Sequence, residues 1–177
     1  MIETHLKIIE EKEFKDFFQL INNNKERLKR YFPVTVQKNE NIHLTIDYLK
    51  ELTEKTKNRE TYVYGIYTQK ILIGVIFIKN IDWRIPKCEL GYFIDKDYEG
   101  KGLMSKVIDD TIKYCFEKLK IEKIFLKIAS ENTRSKRVAE KKGFILEGIL
   151  RKEFRIETNE LINVEYYGKL NTIANTV

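Results

Sequence analysis

The sequence predicts an α+β fold in a single domain over residues 1–177. Three observations support this prediction. Apolar residues recur at helical spacing before residue 60, and residues 61–94 are rich in β-branched and aromatic side chains. The rest of the chain alternates helical and strand patterns, and its 177 residues suit one core rather than two.

The first half is predicted to contain a short strand and two or three helices, followed by an antiparallel sheet. Phe14, Phe17 and Ile21 recur at the spacing of one helix face, which predicts an amphipathic helix. Pro33 ends the second helix, because the residue before a proline disfavours helical geometry. The predicted elements are a strand at 6–9, helices at 13–21, 28–32 and 42–52, and strands at 61–67, 71–78 and 87–94.

The second half alternates helices with strands. A long amphipathic pattern over 102–119 predicts another helix. Gly143 follows the next helical pattern, at the position where a glycine commonly ends a helix. The other predicted elements are a strand at 123–129, a helix at 133–142 and strands at 144–150 and 161–170.

Composition narrows the functional classes. The net charge of +6 and the isoelectric point of about 9.1 favour anionic partners, although a solvated lysine-rich surface explains much of this charge. No apolar stretch approaches the roughly 20 residues that a membrane helix needs, and no signal pattern begins the chain. We therefore expect a cytoplasmic protein without a membrane partner. Cys88 and Cys115 form neither a disulfide framework nor a CxxC motif, and no metal site is expected.

The most informative segment is the loop that leads from a predicted strand into the long helix. Amides at a helix start lack intrahelical acceptors, and the helix dipole adds positive potential there. Glycines at 100 and 102 allow an anion to approach the main chain. We predict that a diphosphate binds the amides of Gly100, Lys101, Gly102, Leu103, Met104 and Ser105.

Three other interpretations of this loop fit the sequence less fully. A glycine turn that merely starts a helix is an open alternative, because G-x-G alone is a weak signal. A Walker loop would end in Gly-Lys-Ser/Thr, which is absent. A Rossmann fingerprint would have a third glycine where Ser105 stands, which disfavours a nucleotide-dependent oxidoreductase.

Three ordered motifs point to a known family. Residues 99–104 read Glu-Gly-Lys-Gly-Leu-Met, residues 132–135 Asn-Thr-Arg-Ser, and residues 143–148 Gly-Phe-Ile-Leu-Glu-Gly. These resemble the acetyl-CoA loop Gln/Arg-x-x-Gly-x-Gly/Ala and the Asn-x-x-Ser and Gly-Phe-x-x-Glu-Gly signatures of GNAT acetyltransferases, in particular the RimJ/RimL branch. Glu99, Met104 and Lys106 depart from the usual residues.

The resemblance implies a fold and a reaction. The fold would be the GNAT fold, a mixed, mostly antiparallel central sheet flanked by helices. The reaction would be N-acetyl transfer from acetyl-CoA, the only cofactor expected, to an amine. The departures at Glu99, Met104 and Lys106 remove no backbone amide, so the resemblance supports cofactor binding more strongly than it supports a particular substrate.

The resemblance also implies roles for single residues. Ser135 would lie near the cofactor sulfur and protonate the departing thiolate, and Asn132 would hold the pantetheine arm besides capping its helix. The main chain around Phe93 and Ile94 would pair with the pantetheine amides as an added strand would. Glu89 is a candidate general base acting through water, and an ordinary solvent-facing strand glutamate is the equal alternative.

Three further residues, Gly91, Tyr166 and Tyr167, bear on the predicted site. Gly91 is expected to mark a bulge that splays its strand from a neighbour. Tyr166 and Tyr167 could offer a phenol near the site, with core packing expected for at least one of them.

The acceptor is not identified by any motif. A protein N-terminus, a polyamine, an amino sugar or another small amine all stay open, and we expect the N-terminal helices around 28–32 and the C-terminal strands to select it. Nucleic acid is not the expected partner, and a homodimer is left open. The alternative class is a non-catalytic basic domain that binds RNA or ribosomes. It accounts for the charge but leaves the glycine loop and the Asn132/Ser135 pair unexplained.

Overall fold

The computed structural model describes residues 2–172, which contain one seven-stranded sheet in the order β1-β2-β3-β4-β5-β7-β6. Only the β4/β5 pair is parallel, and every other neighbouring pair in that sheet is antiparallel. The predicted mixed, mostly antiparallel sheet is confirmed. Its strands are β1 (His5–Ile8), β2 (Tyr62–Thr68), β3 (Ile71–Asp82), β4 (Lys87–Ile94), β5 (Lys123–Ala129), β6 (Ile145–Arg155) and β7 (Leu161–Leu170).

Six helices flank this sheet in the described residues, so the α+β class is confirmed as well. They are α1 (Phe14–Asn23), α2 (Lys25–Tyr31), α3 (Pro33–Gln37), α4 (Ile42–Lys57), α5 (Leu103–Glu117) and α6 (Thr133–Lys141). The short helix α3 was not predicted. Pro33 ends α2 and also begins α3, because the first position of a helix needs no N–H donor.

The helices lie on both faces of the sheet. On one face, α1 to α4 pack against β2, β3 and β4 through residues such as Phe17, Leu49 and Phe93. On the other face, α5 and α6 pack through residues such as Ile108 and Ala139. We call these the α1–α4 face and the α5–α6 face. No helix within residues 2–172 is long and apolar enough to span a bilayer.

The two parallel strands diverge after a short contact. β4 and β5 pair only at Lys87/Lys123, Cys88/Ile124 and Glu89/Phe125, although both strands continue beyond these residues. Residues 90–94 keep β3 as their neighbour on the other side. The result is a wedge-shaped gap between β4 and β5, whose narrow end is the Glu89/Phe125 pair.

Gly91 does not form the expected bulge. It pairs with Phe77 of β3 in continuous register, and the β3/β4 irregularity lies at Lys79/Asp82 instead. The divergence of the strand from a neighbour does occur, but on the β5 side.

Candidate active site

The main-chain groups that face the gap follow from the β3/β4 ladder. The amide of Asp95 donates to Ile73 O at 2.7 Å, and hydrogen-bonded pairs alternate along an antiparallel ladder. Phe93 therefore directs its N–H and C=O toward β3, whereas Tyr92 and Ile94 direct theirs into the gap. The prediction for Ile94 fits this geometry. The main chain of Phe93 instead pairs with β3, and Tyr92 is the other residue whose main chain faces the gap.

Glu89 lies at the narrow end of the gap and does not face solvent. It is 6% exposed. Side chains alternate between the two faces along β4, so Glu89 points to the same face as Phe93, which packs on the α1–α4 face. Its Oε1 lies 3.1 Å from Lys79 Nζ, and its Oε2 accepts a hydrogen bond from Asn80 Nδ2 at 2.7 Å. A carboxylate has about four acceptor sites, so Glu89 keeps acceptor capacity for a water.

Asn80 owes its position to the irregularity in β3. Its φ of 50° is unusual for a residue other than glycine and coincides with the shift of register between Lys79 and Asp82. The strand distortion thus directs an amide toward Glu89.

Ser135 approaches the gap from the other face of the sheet. It stands in the first turn of α6, and its amide donates to Asn132 Oδ1 at 3.1 Å. The predicted cap is thus formed by Asn132. Ala139 of the same helix belongs to the core of the α5–α6 face, so Ser135 and Glu89 are on opposite faces.

No sequence motif distinguishes Tyr92 from the other aromatic residues of the strands. Its hydroxyl is buried and has no well-formed hydrogen bond among residues 2–172. Burial raises the pKa of Tyr92 to about 12, and the nearby Ser135 hydroxyl opposes this rise. A buried hydroxyl without a partner is costly, and such groups commonly await a ligand or water.

The glycine loop has the open form that anion binding requires. Gly100 and Gly102 have φ values of 72° and 73°, which favour glycine, and a Cβ built on either would meet no atom within 4 Å. Gly102 is the N-cap of α5 and offers no side chain to its amides. The first-turn donors therefore remain available to a ligand.

The charge of Glu99 beside this loop is balanced by two arginines. Its carboxylate forms ion pairs with Arg27 of α2 and Arg134 of α6. These partners are far away in the sequence, and no local pattern indicated them.

The α1–α4 face of β5 and β7 carries an aromatic surface next to Glu89. Tyr166 stacks on Phe125 at a centroid distance of 4.8 Å. Burial raises the pKa of Tyr166, and the negative charges of Glu147 and Glu89 add to this rise. Tyr167 is a core residue, as expected for one of the pair, and its hydroxyl donates to Glu165 Oε2 at 3.0 Å.

The N-terminal helices and the C-terminal strands border the same region. Tyr31 of α2 packs against a small cluster that includes Ala129, Phe154 and Ile156. Phe32 lies edge-on to Phe93 with ring centroids 5.3 Å apart. Within residues 2–172, no group of three or more His, Cys, Asp or Glu could hold a metal ion.

A divergent parallel strand pair, a glycine loop ahead of a helix and a hydroxyl pair beside the gap together define an acyl-CoA-dependent transferase. More narrowly, the chain belongs to the acetyltransferase (GNAT) domain family, whose profile matches residues 5–145. The predicted family is thereby confirmed.

Several relatives carry acetyltransferase names. Probable N-acetyltransferase YjcK of Bacillus subtilis (strain 168) is 35% identical over 111 residues, so the match spans only 61% of that protein and 61% of this chain. The ribosomal-protein-serine acetyltransferase of Escherichia coli (strain K12) is 28% identical, covering 90% of this chain and 89% of that protein. A spermidine N(1)-acetyltransferase of Vibrio cholerae is 30% identical, covering 79% of this chain and 78% of that protein.

The fold is also that of a solved family member. The structure of RimL, a ribosomal-protein α-N-acetyltransferase in complex with coenzyme A, has a TM-score of 0.88 at 20% identity, and the match covers 94% of this chain and 93% of that one. The predicted GNAT fold is confirmed. N-acetyl transfer is confirmed as the reaction of the family to which the chain belongs.

Proposed function

We propose that this chain transfers the acetyl group of acetyl-CoA to the N-terminal amine of a protein. The donor half of the proposal, the use of acetyl-CoA, rests on the gap beyond Glu89/Phe125 together with the open loop at Gly100 and Gly102. The acceptor half, the choice of a protein N-terminus, is supported by the relative named as a ribosomal-protein-serine acetyltransferase, whose match covers 90% of this chain.

Charge pairing favours a protein N-terminus over a polyamine. A polyamine carries several positive charges, and its recognition requires carboxylates that are free to pair with them. The carboxylates around the aromatic surface already have lysine partners: Glu89 with Lys79, Glu147 with Lys123, and Glu153 with Lys127. A singly charged amine needs fewer unpaired carboxylates, so we infer that spermidine is the weaker candidate.

The cofactor contacts in this proposal come from the elements that border the gap. Acetyl-CoA supplies an activated acetyl thioester when it is bound. The main chains of Tyr92 and Ile94 would bind its pantetheine amides, with Asn132 as a further contact. The amides over residues 100–105 would bind its diphosphate. The fit is supported by the open glycines and by the edge of β4 beyond Glu89, which pairs with no strand of the described residues; on this edge Ile94 O lies 3.4 Å from Arg27 Nη1.

The catalytic assignment uses two side chains on opposite faces of the sheet. Glu89 would accept a proton from the acceptor ammonium through one water, leaving the nitrogen lone pair free to attack. Ser135 would donate its proton to the sulfur as the carbon–sulfur bond breaks, and it would be reprotonated through water by the second proton that the nitrogen loses as the amide forms. Their placement supports this division of roles, because the amine would then enter from one face of the sheet and the thiol would leave toward the other.

The remaining parts of the proposal concern the whole chain. We infer one acetyltransferase domain over residues 1–177, supported by the single sheet that runs through the described part. A cytoplasmic location is supported by Cys88 and Cys115, which are buried free thiols as in reducing compartments. A homodimer through β6 is supported by Ile145 and Ile149, which are exposed on this edge strand.

Two measurements test the function. Calorimetric titration with coenzyme A is expected to show binding, and no heat would refute the donor half. Free-thiol release is then followed with a peptide bearing a free N-terminus, the same peptide N-acetylated, spermidine and glucosamine. We expect release with the free peptide and none with its blocked form. Release with spermidine alone would overturn the acceptor class, and salt-dependent RNA binding without coenzyme A binding would favour the RNA-binding alternative.

A further inference from the structure

Glu99 connects three elements that border the cofactor route. One carboxylate oxygen pairs with Arg27 Nη2 on α2, and the other pairs with Arg134 Nη1 on α6. Glu99 itself directly precedes the open glycine loop. Since Ser135, the neighbour of Arg134, lies beside Tyr92 of β4, the loop and the first turn of α6 face each other across this route.

Arg27 is the fixed end of this cluster. Its Nη1 donates to Asn24 Oδ1 at 2.7 Å and lies 3.4 Å from Ile94 O. Asn24 is 1% exposed and is held in turn by Asp95 Oδ2 at 2.7 Å and by the amide of Lys96 at 3.1 Å. Arg27 is therefore committed to protein partners and anchors the Glu99 carboxylate.

Arg134 is the available end. Its side chain is 73% exposed, and within residues 2–172 its guanidinium makes no hydrogen bond other than the one to Glu99. A guanidinium has five N–H donors in a rigid fork, so most of them are free for an anion. Arginine recognises phosphate groups well because two parallel hydrogen bonds can form.

Two other cations near the loop, Lys101 and Lys136, each already contact a protein acceptor. Lys101 Nζ donates to Asp97 O at 2.7 Å and lies over the ring of Tyr98. Lys136 of α6 pairs with the buried Glu165 at 3.0 Å. Arg134 differs from both of these lysines in its planar guanidinium, which can offer two parallel N–H donors to one phosphate group.

We propose that Arg134 binds the diphosphate of acetyl-CoA and that Glu99 is the positioning residue that holds it there. This inference rests on the proposed function. Glu99 alone would repel a diphosphate, but the cluster of one carboxylate and two guanidinium groups carries a net charge of +1. Glu99, the unusual residue at this loop position, is compatible with an anionic ligand because its ion pair holds the Arg134 guanidinium beside the loop.

The first test is calorimetry of Arg134→Ala with coenzyme A and with dephospho-coenzyme A, which keeps the diphosphate but lacks the 3′-phosphate. We expect affinity for both ligands to fall by about tenfold or more, as for a lost charge-assisted contact. Arg151→Ala, which removes the same charge from the exposed strand β6, should leave both affinities unchanged. A loss with coenzyme A alone would assign Arg134 to the 3′-phosphate and overturn the proposal.

The second test is the sign of the effect of Glu99→Gln on coenzyme A affinity. In the wild-type background the substitution releases Arg134, so affinity should fall. In the Arg134→Ala background it removes an uncompensated negative charge, so affinity should rise. An effect of the same sign in both backgrounds would overturn the positioning role, because a purely structural residue predicts no reversal. Thermal melting should show both variants folded, since exposed ion pairs contribute little stability.

These outcomes separate the two proposals. Wild-type protein that does not bind coenzyme A would refute the proposed function itself. Wild-type binding with unchanged affinity in Arg134→Ala would refute only the role of Arg134.

Discussion

Glu89 and Phe125 form the last backbone pair between β4 and β5, and the cofactor gap opens directly beyond them. The pair therefore marks where an inserted thioester would end. Glu89 directs its carboxylate to the α1–α4 face, whereas Ser135 stands in α6 on the opposite face. In the proposed mechanism the sheet therefore separates the base from the acid.

Glu89→Gln is expected to lower kcat by roughly 10²-fold, the lower range for loss of a general base. Glutamine keeps the shape and can still accept a hydrogen bond from Lys79 or Asn80, so the fold should persist. Steady-state kinetics with a free N-terminal peptide would measure the effect. Glu153→Gln is the matched control, because Glu153 also pairs with a lysine, Lys127, at 3.0 Å. A rate equal to that of the control would remove Glu89 from the mechanism.

Ser135→Ala should lower kcat by roughly 10²-fold while coenzyme A affinity stays constant. The capping bond to Asn132 uses the amide of Ser135, so alanine preserves the start of α6. Kinetics and calorimetry on the same preparation separate rate from binding. Thr133→Ala, in the same helical turn, serves as the control. Full activity in Ser135→Ala would show that another group protonates the thiolate.

Tyr92→Phe should raise the stability of the protein and lower its catalytic rate. Removing a buried hydroxyl that has no well-formed hydrogen bond in the described residues relieves a desolvation cost, so we expect the free energy of unfolding to rise by up to about 1 kcal/mol. The rate should fall, because the hydroxyl lies next to Ser135 and stays protonated below a pKa of about 12. Urea denaturation and kinetics provide the two readouts.

Tyr64→Phe is the comparison for this variant. Tyr64 lies on β2 and packs edge-on against Tyr114 at 5.9 Å, away from the gap. It should leave the rate unchanged. A clear loss of stability in Tyr92→Phe would contradict the interpretation, since it would mean that the Tyr92 hydroxyl is already well bonded in the free protein.

Local patterns predicted the fold closely where apolar runs are bounded by turn residues. β4, β5 and β7 begin and end where expected, because alternation and flanking polar residues mark both ends. Several elements are longer than predicted, among them β3, which continues to Asp82, α4, which continues to Lys57, and β6, which continues to Arg155. Their last residues are mostly polar, so no apolar periodicity marked them.

The site was predictable to the extent that its residues are close in sequence. The positive φ of Gly100 and Gly102 follows from residue type and loop position. Tyr92 could not be distinguished from a core tyrosine, because its importance depends on where β5 diverges. The Arg27–Glu99 pair joins residues 72 positions apart, and only the packing of α2 against the loop brings them together.

Acid stability should depend on Glu13. Burial raises the pKa of Glu13, but hydrogen bonds from the Glu10 amide, Tyr67 and Lys7 outweigh it, so the net pKa lies below its usual range. A lowered folded-state pKa contributes stability above the unfolded value of about 4.3, and this contribution is lost as pH falls through the folded value. Glu13→Gln should therefore be less stable than wild type at pH 7.

The stability difference caused by Glu13→Gln should shrink as the pH falls from the unfolded-state pKa of about 4.3 through the lower pKa of Glu13 in the folded protein. Denaturation midpoints between pH 7 and 3 would measure it. Glu54→Gln, which alters an exposed pair with Lys57, should show a small difference at every pH. A difference for Glu13→Gln that does not change with pH would show that packing, rather than ionisation, is responsible.

Gly102→Ala and Gly143→Ala form a matched pair that separates backbone strain from ligand binding. Their φ values are 73° and 74°, so alanine should cost each about 1 kcal/mol of stability. At position 143 the added Cβ would approach only the flexible end of Lys169, at 3.0 Å, and at 102 it would meet no protein atom within 4 Å. At position 102 the added methyl group is therefore expected to obstruct an incoming anion rather than a protein atom.

Coenzyme A affinity should consequently fall by about tenfold or more in Gly102→Ala and stay at the wild-type level in Gly143→Ala, although both lose similar stability. Calorimetry gives the affinities, and urea denaturation gives the free energies of unfolding. Equal affinities in the two variants would contradict diphosphate binding at the start of α5. In that case Gly102 would be needed only to begin the helix, which is the weaker interpretation that a G-x-G sequence allows.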